Sequence, residues 1–443
     1  MLRPFHSATK EFAAARDTPS AYLERCLAAI AAREPEIGAF VAMNVAGARE
    51  AAAGSTARWQ AGKPLSPIDG MPVGIKDIYE TVDMPTQMGS PVFAGWQSMR
   101  DSAAVAASRE AGAVVLGKTV TTEFAATFPA GTRNPHDPRR TPGGSSSGAG
   151  AAVGAGFLPA ALGTQVVGSI IRPASFCGTF GFKPSVGALN RGGSHDGLSQ
   201  SSAGVLAASL EDAWNFCRAI ADRAGGDPGY PGLSGPAEVP VAQRPRALAV
   251  LETDGWATAT DEAKAKFETA VVRIRAAGIA ILDRLNNSLV AETETALAGA
   301  QGLSRRINGW EVRWPLNTYA AHHRAGLSKH MLERLEAAEA MTLDDYRRDI
   351  AERARIRTVH AKLATIADAA VTLSAAGAAP MGLASTGDPT FAVPGSLLGA
   401  PAITLPVLAC EALPLGLQLH GFQQQDEALF SIAAFVRDLG WES

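Results

Sequence analysis

From Met71 onward, short apolar runs alternate with segments patterned as helices, and this alternation constrains the fold more than any other feature of the chain. Met71–Ile75, Ala113–Gly117, Ala160–Thr164, Arg246–Leu251, Ala369–Ser374, Ala402–Val407 and Leu415–His420 read as strands. Asp101–Ala111, Ser147–Phe157, Glu211–Ala224, Asp261–Ala277 and Gln425–Leu439 carry apolar residues at helical spacing. Two further helices, Pro19–Ala32 and Ala46–Gln60, precede them, and Ala291–Lys362 is mostly helical in pattern. Strands and helices that interleave in this way predict a layered α/β architecture. There is no fixed-period repeat, and the Pro- and Gly-rich stretch Asp227–Arg246 reads as a surface loop. The chain is therefore expected to form one domain over residues 1–443, with a helical segment at 1–65 and a mostly helical insertion at 285–365.

Composition narrows the functional classes. With 47% hydrophobic and 19% charged residues in 443, a large core is available. A net charge of −3 argues against a nucleic-acid or anionic-membrane surface. The longest apolar stretch, Ala149–Gly163, is interrupted by Pro159 and falls short of the roughly 20 residues a membrane span needs. Cys26, Cys177, Cys217 and Cys410 are scattered, with no Cys-x-x-Cys pair, so neither a zinc site nor a disulfide framework is expected. Met1–Lys10 shows no apolar leader. These features predict a reducing, cytoplasmic setting.

Chemistry concentrates in three segments. Pro142–Gly148 reads Pro-Gly-Gly-Ser-Ser-Ser-Gly, Gly168–Pro173 reads Gly-Ser-Ile-Ile-Arg-Pro, and Gly74–Asp77 reads Gly-Ile-Lys-Asp. A serine hydroxyl needs a base to become a nucleophile. A lysine serves only if burial or a nearby positive charge lowers its pKa from about 10.4. Lys76 follows the apolar run Met71–Ile75, which supplies burial. Rival motifs fit poorly. Gly144-Ser145-Ser146-Ser147-Gly148 matches a Gly-x-Ser-x-Gly elbow, but the elbow needs a strand before it, and Asn134–Pro142 is a Pro- and Arg-containing loop. Gly148, Gly150 and Gly154 lack the strand and spacing of a dinucleotide fingerprint. Ser7-Ala8-Thr9-Lys10 matches Ser-x-x-Lys only at an unprotected terminus. Read without other support, the serines and glycines are also consistent with plain loop punctuation.

Lys76, the serine cluster and Ser169 stand in the order and context of the amidase signature family, which the chain resembles over most of its length. The resemblance is carried by Gly70–Asp77, Gly117–Thr119, Asn134-Pro135, Gly143–Gly148, Leu162–Thr164, Gly168–Gly178, Gly181–Pro184 and Leu415–Leu419. Asp83–Ser90, Ser169–Pro173 and Leu383–Pro389 resemble the malonamidase-like members. The resemblance implies a three-layer α/β/α fold around a large mixed β-sheet. It also implies a triad of lysine, a serine in a cis peptide, and a nucleophilic serine 24 positions later, here Lys76, Ser145 and Ser169.

The implied activity is hydrolysis of a carboxamide to acid and ammonia through an acyl-enzyme, with no metal or organic cofactor. The oxyanion would sit on the backbone N–H groups of Val166, Val167, Gly168 and Ser169. Thr164 and Ser146 would orient the loop and the shuttle. Arg172 would bind a substrate carboxylate or brace the turn. Three departures stand out. Val167 replaces a glycine, Ile171-Arg172 replaces the common arginine two residues past the nucleophile, and Ile78-Tyr79 replaces Asn-Ile. The expected partner is a small amide, with no nucleic acid or membrane, and the reading leaves room for a homodimer. Alternatives are an amidase for neutral aliphatic or aryl amides, the A-type subunit of a tRNA-dependent amidotransferase, and a silent binding paralogue. His195, in Gly193–Gly197, either lines the pocket or is a solvated loop side chain. His322 and His323 lack acidic or cysteine neighbours at metal spacing.

Overall fold

The computed structural model describes residues 2–126 and 128–441. Eleven strands form one sheet: β1 (Phe40–Met43), β2 (Pro72–Lys76), β3 (Val114–Thr119), β4 (Ala160–Gln165), β5 (Phe180–Lys183), β6 (Ser202–Ala207), β7 (Ala247–Val250), β8 (Ala280–Leu282), β9 (Ala369–Leu373), β10 (Ala402–Cys410) and β11 (Leu413–His420). Their order is β1-β3-β2-β4-β6-β5-β10-β11-β9-β7-β8. The sheet is mixed. β2 runs parallel to both β3 and β4, and β7 parallel to β8 and β9, while the central strands pair antiparallel.

Side chains alternate between two apolar layers, as a strand buried on both faces requires. Val115 enters one core cluster, while Val114 and Leu116 enter another on the opposite face. Val205 and Leu206 divide in the same way, as do Leu162 and Ala161. Helices cover both faces, which makes the three-layer α/β arrangement.

Four strands escape the sequence reading. β1 lies inside the segment expected to be helical at 1–65. β5, β6 and β8 are short, and β6 is Ser-Ala-Gly-Val-Leu-Ala, whose small residues have low strand propensity. β6 is held by its neighbours instead, since it pairs with β4 from Ala160↔Ala207 to Gln165↔Ser202. Between 285 and 365 the chain forms the helices Ser288–Leu297, Ala300–His323, Lys329–Glu339 and Leu343–Ala361.

Two features of the sheet position the chemistry. The parallel pairing of Val73 with Ala160 and of Ile75 with Leu162 brings the ends of β2 and β4, and hence Lys76 and Thr164, side by side. The helix Ser147–Gly154 follows the serine cluster and is buried along its whole length. It stops three residues short of the expected Phe157. Its small residues permit close packing. A Cβ on Gly148 would meet the Ala39 carbonyl oxygen at 2.2 Å, and one on Gly154 would meet the Cys177 carbonyl oxygen at 2.5 Å. Only glycine allows the backbone to approach that closely.

Candidate active site

β2 ends on Lys76, whose side chain is fully enclosed. Its Nζ lies 2.8 Å from Ser145 Oγ and 3.0 Å from Thr164 Oγ1. Ser145 Oγ lies 2.9 Å from Ser169 Oγ, so the three groups form one hydrogen-bonded chain. The Gly144–Ser145 peptide is cis. Ser146 donates to the Thr164 carbonyl at 3.4 Å. Exposure falls along the chain from 8% at Ser169 to 1% at Ser145 and 0% at Lys76, so a substrate meets Ser169 first. Burial pushes the Lys76 ammonium down to about 7, and the charge of Asp196 opposes this. A lysine at that value is substantially neutral near pH 7 and can accept a proton.

β4 leads directly into the turn that carries Ser169. Among the described residues, the N–H groups of Val166, Val167, Gly168 and Ser169 find no acceptor, while the first two carbonyls are tied down. Gln200 Nε2 donates to the Val166 oxygen and Ser396 Oγ to the Val167 oxygen, each at 2.9 Å. With these carbonyls held in place, the amides of this turn are left without an acceptor among the described residues. Val167 turns its side chain onto an apolar cluster that includes Val393 and Leu397, which accommodates the branched residue. The helix Ile171–Cys177 starts just past Ser169, and its N-terminal dipole favours negative charge there.

Gln165 is a residue the sequence reading missed. Its Oε1 accepts from the N–H groups of Ile170 and Ile171, each at 2.9 Å, and its Nε2 donates to Ser396 Oγ at 3.0 Å. One side chain thus clamps both sides of the Ser169 turn. Its position inside the Gly163–Ser169 block was the available signal, but the amide's direction was not.

Arg172 is buried against the cis peptide. It donates to the Gly144 carbonyl at 2.6 Å and to Thr386 Oγ1 at 3.0 Å, and its Nε has no partner among the described residues. Burial lowers its pKa to about 10, against the pull of Asp388. Beneath the site, Lys118 Nζ contacts Asp77 at 3.2 Å, Thr86 Oγ1 at 2.7 Å and the Tyr79 carbonyl at 2.8 Å. Tyr79 in turn donates to the Gly163 carbonyl at 3.1 Å. Tyr79, one of the departures from the family pattern, therefore braces β4 just before Thr164. His195 is not a solvated loop side chain. It is half-buried, its ring lies 5.3 Å from that of Phe124, and burial lowers its pKa. The four cysteines are free and buried. Among the described residues no helix is long and apolar enough to cross a membrane.

The family model described as Amidase matches residues 21–430. This chain belongs to the amidase family. As a family member it is an amide-hydrolysing type of enzyme, and its fold is shared with solved amidases. One, described as the crystal structure of amidase, superimposes with a TM-score of 0.84 at 27% identity, covering 98% of this chain and 99% of that one. The native peptide amidase from Stenotrophomonas maltophilia superimposes with a TM-score of 0.78 at 25% identity, over 98% and 96% of the two chains. Among curated relatives, the A-type subunit of glutamyl-tRNA(Gln) amidotransferase from Roseiflexus castenholzii is 32% identical over 94% of this chain and 92% of its own length. The same subunit from Chloroflexus aurantiacus is 43% identical, but the match spans 38% of this chain and only 36% of that protein.

Proposed function

We propose that this amidase hydrolyses a small carboxamide to a carboxylic acid and ammonia through a Ser169 acyl-enzyme. The reading rests on the continuous chain Lys76–Ser145–Ser169, with a lysine held near 7 at its buried end. Ser169 Oγ attacks the amide carbonyl. Its proton passes to Ser145 Oγ, and the Ser145 proton passes to neutral Lys76 Nζ. The oxyanion is held by the N–H groups of Val166, Val167, Gly168 and Ser169. Thr164 and Ser146 hold Lys76 and the shuttle in register. As the C–N bond breaks, Ser145 returns a proton to the leaving nitrogen and is resupplied by Lys76. Water then attacks the acyl ester by the same relay and releases the acid. No step calls for a metal or organic cofactor.

The substrate class we favour is a short acid-amide such as malonamate. Arg172 stands three residues past the nucleophile, and its planar fork suits a carboxylate. The blocks Asp83–Ser90 and Leu383–Pro389 resemble malonamidase-like members, and the second carries Thr386, which touches Arg172. We place the enzyme in the cytoplasm as one domain over residues 1–443, acting without nucleic acid or membrane and allowed as a homodimer. A second reading, the A-type subunit of an amidotransferase, is favoured by the near-full-length similarity to the Roseiflexus castenholzii protein. Ammonia release by the purified chain from malonamate, propionamide and benzamide separates the two. Turnover of a free amide that vanishes in Ser169→Ala supports the hydrolase. An inert chain that becomes active only with partner proteins supports the second reading.

A further inference from the structure

The helices between residues 285 and 365 bring two side chains toward the triad that the mechanism does not use. Tyr319 comes from Ala300–His323 and Arg334 from Lys329–Glu339. Tyr319 stacks on Phe124 with 5.3 Å between centroids and on His195 with 6.2 Å, and Phe93 closes the group edge-on to Tyr319 at 5.3 Å. This aromatic wall adjoins the reaction centre on two sides. The N–H of Thr122, two residues before Phe124, donates to the Ser145 carbonyl at 3.3 Å. The His195 N–H donates at 2.9 Å to the carbonyl of Ile78, two residues past Lys76. Phe124 holds a left-handed conformation, φ 48°, which is uncommon for a bulky residue and points its ring into the wall.

Arg334 lies between Met331 and Leu335 on its helix, and both are buried in the cluster containing Phe124. It is half-buried, and among the described residues it makes no hydrogen bond or ion pair. The charge of Asp196, next to His195, acts on it from beyond ion-pair distance, and both Asp196 carboxylate oxygens are themselves buried and unpartnered among the described residues. A guanidinium carried beside this aromatic cluster, with no donor spent on the described residues, is a poor structural brace and a good receptor for an anion.

We propose that Arg334 is a specificity-determining residue that binds an anionic group at the far end of a flat acyl chain lying along the Phe93–Phe124–His195–Tyr319 wall. Arg172 serves a carboxylate close to the scissile carbonyl. Arg334 extends the range to aromatic acid-amides, with Asp196 balancing its charge when the pocket is empty. The proposal rests on the hydrolase reading. The test measures kcat and KM for 4-carbamoylbenzoate, benzamide and malonamate with the wild-type chain, Arg334→Met and Arg334→Lys, with circular dichroism confirming that each variant folds. The wild type should prefer 4-carbamoylbenzoate to benzamide. Arg334→Met should raise KM for 4-carbamoylbenzoate about 10- to 100-fold, leaving kcat and both benzamide constants within about twofold, and Arg334→Lys should recover part of the loss. A wild type indifferent between 4-carbamoylbenzoate and benzamide overturns the proposal, as do equal losses on both substrates. Failure of the wild type to hydrolyse any amide instead removes the hydrolase reading on which it depends.

Discussion

Lys76 Nζ and Ser145 Oγ lie 2.8 Å apart in a fully enclosed space, and among the described residues no carboxylate contacts the lysine. Burial outweighs the distant Asp196 charge and lowers the lysine to about 7. The base form dominates above that value, so kcat/KM should rise with unit slope as pH increases and level off above about pH 7. The same shift has a stability consequence. Between about 7 and the ordinary value near 10.4, the unfolded chain binds a proton that the folded chain does not. Stability therefore rises with pH across that window, by up to about 1.4 kcal/mol per pH unit, and the Lys76 contribution is flat below it. Lys76→Met should be inactive. It should also be stabilised relative to wild type most strongly below pH 7, with the gap closing toward pH 10. Thermal melts at several pH values read this directly, and a constant gap would mean that the lysine keeps its ordinary pKa and stays protonated in the folded chain.

Gln165 should be costly to replace although it touches no reacting atom. Gln165→Leu strands the N–H groups of Ile170 and Ile171, buried donors worth about 1–3 kcal/mol each when unsatisfied. The expected outcome is a Tm lowered by several degrees and a kcat reduced about 10- to 100-fold, with KM changed less. Steady-state kinetics beside calorimetry would show it. A fall in Tm with unchanged kcat would limit Gln165 to holding the fold.

The Lys118–Asp77 pair sits under β2 with side chains 0% and 1% exposed. Burial raises the Asp77 pKa and lowers that of Lys118, while each partner's charge opposes the shift in the other. Lys118→Met leaves an uncompensated carboxylate and should destabilise by about 3–5 kcal/mol. Adding Asp77→Asn to that variant should restore part of the loss. Denaturant titration of the two single variants and the double variant gives the coupling, and strict additivity would argue against a direct interaction.

Arg172 offers the cleanest test of the acid-amide class. Arg172→Met should raise KM for malonamate far more than for propionamide, by about 10-fold or more for the lost charged contact. Losses of equal size on the two amides would assign Arg172 to its contacts with the Gly144 carbonyl and Thr386. The preferred substrates would then be neutral amides.

What the sequence determined by itself is contiguous. Gly70–Asp77, Gly143–Gly148 and Gly163–Pro173 each carry their chemistry within a few residues, so the residues proposed as base, shuttle and nucleophile are legible with their order. The α/β layering was legible because β2, β3, β4, β7, β9, β10 and β11 are apolar runs flanked by helical patterns. Strands such as β6 were not, because Ser-Ala-Gly-Val-Leu-Ala becomes a strand only when β4 and β5 supply its hydrogen bonds. Tertiary structure decided the rest. It brought Lys76 within 2.8 Å of a serine 69 positions away and sealed both from water. It turned the Gln165 amide onto the Ser169 turn, and it brought Tyr319 and the helix that carries Arg334 from a distant helical stretch to the aromatic cluster. A pKa near 7 and an unspent guanidinium depend on solvent exclusion and on which groups converge in space, and neither is encoded by neighbours along the chain.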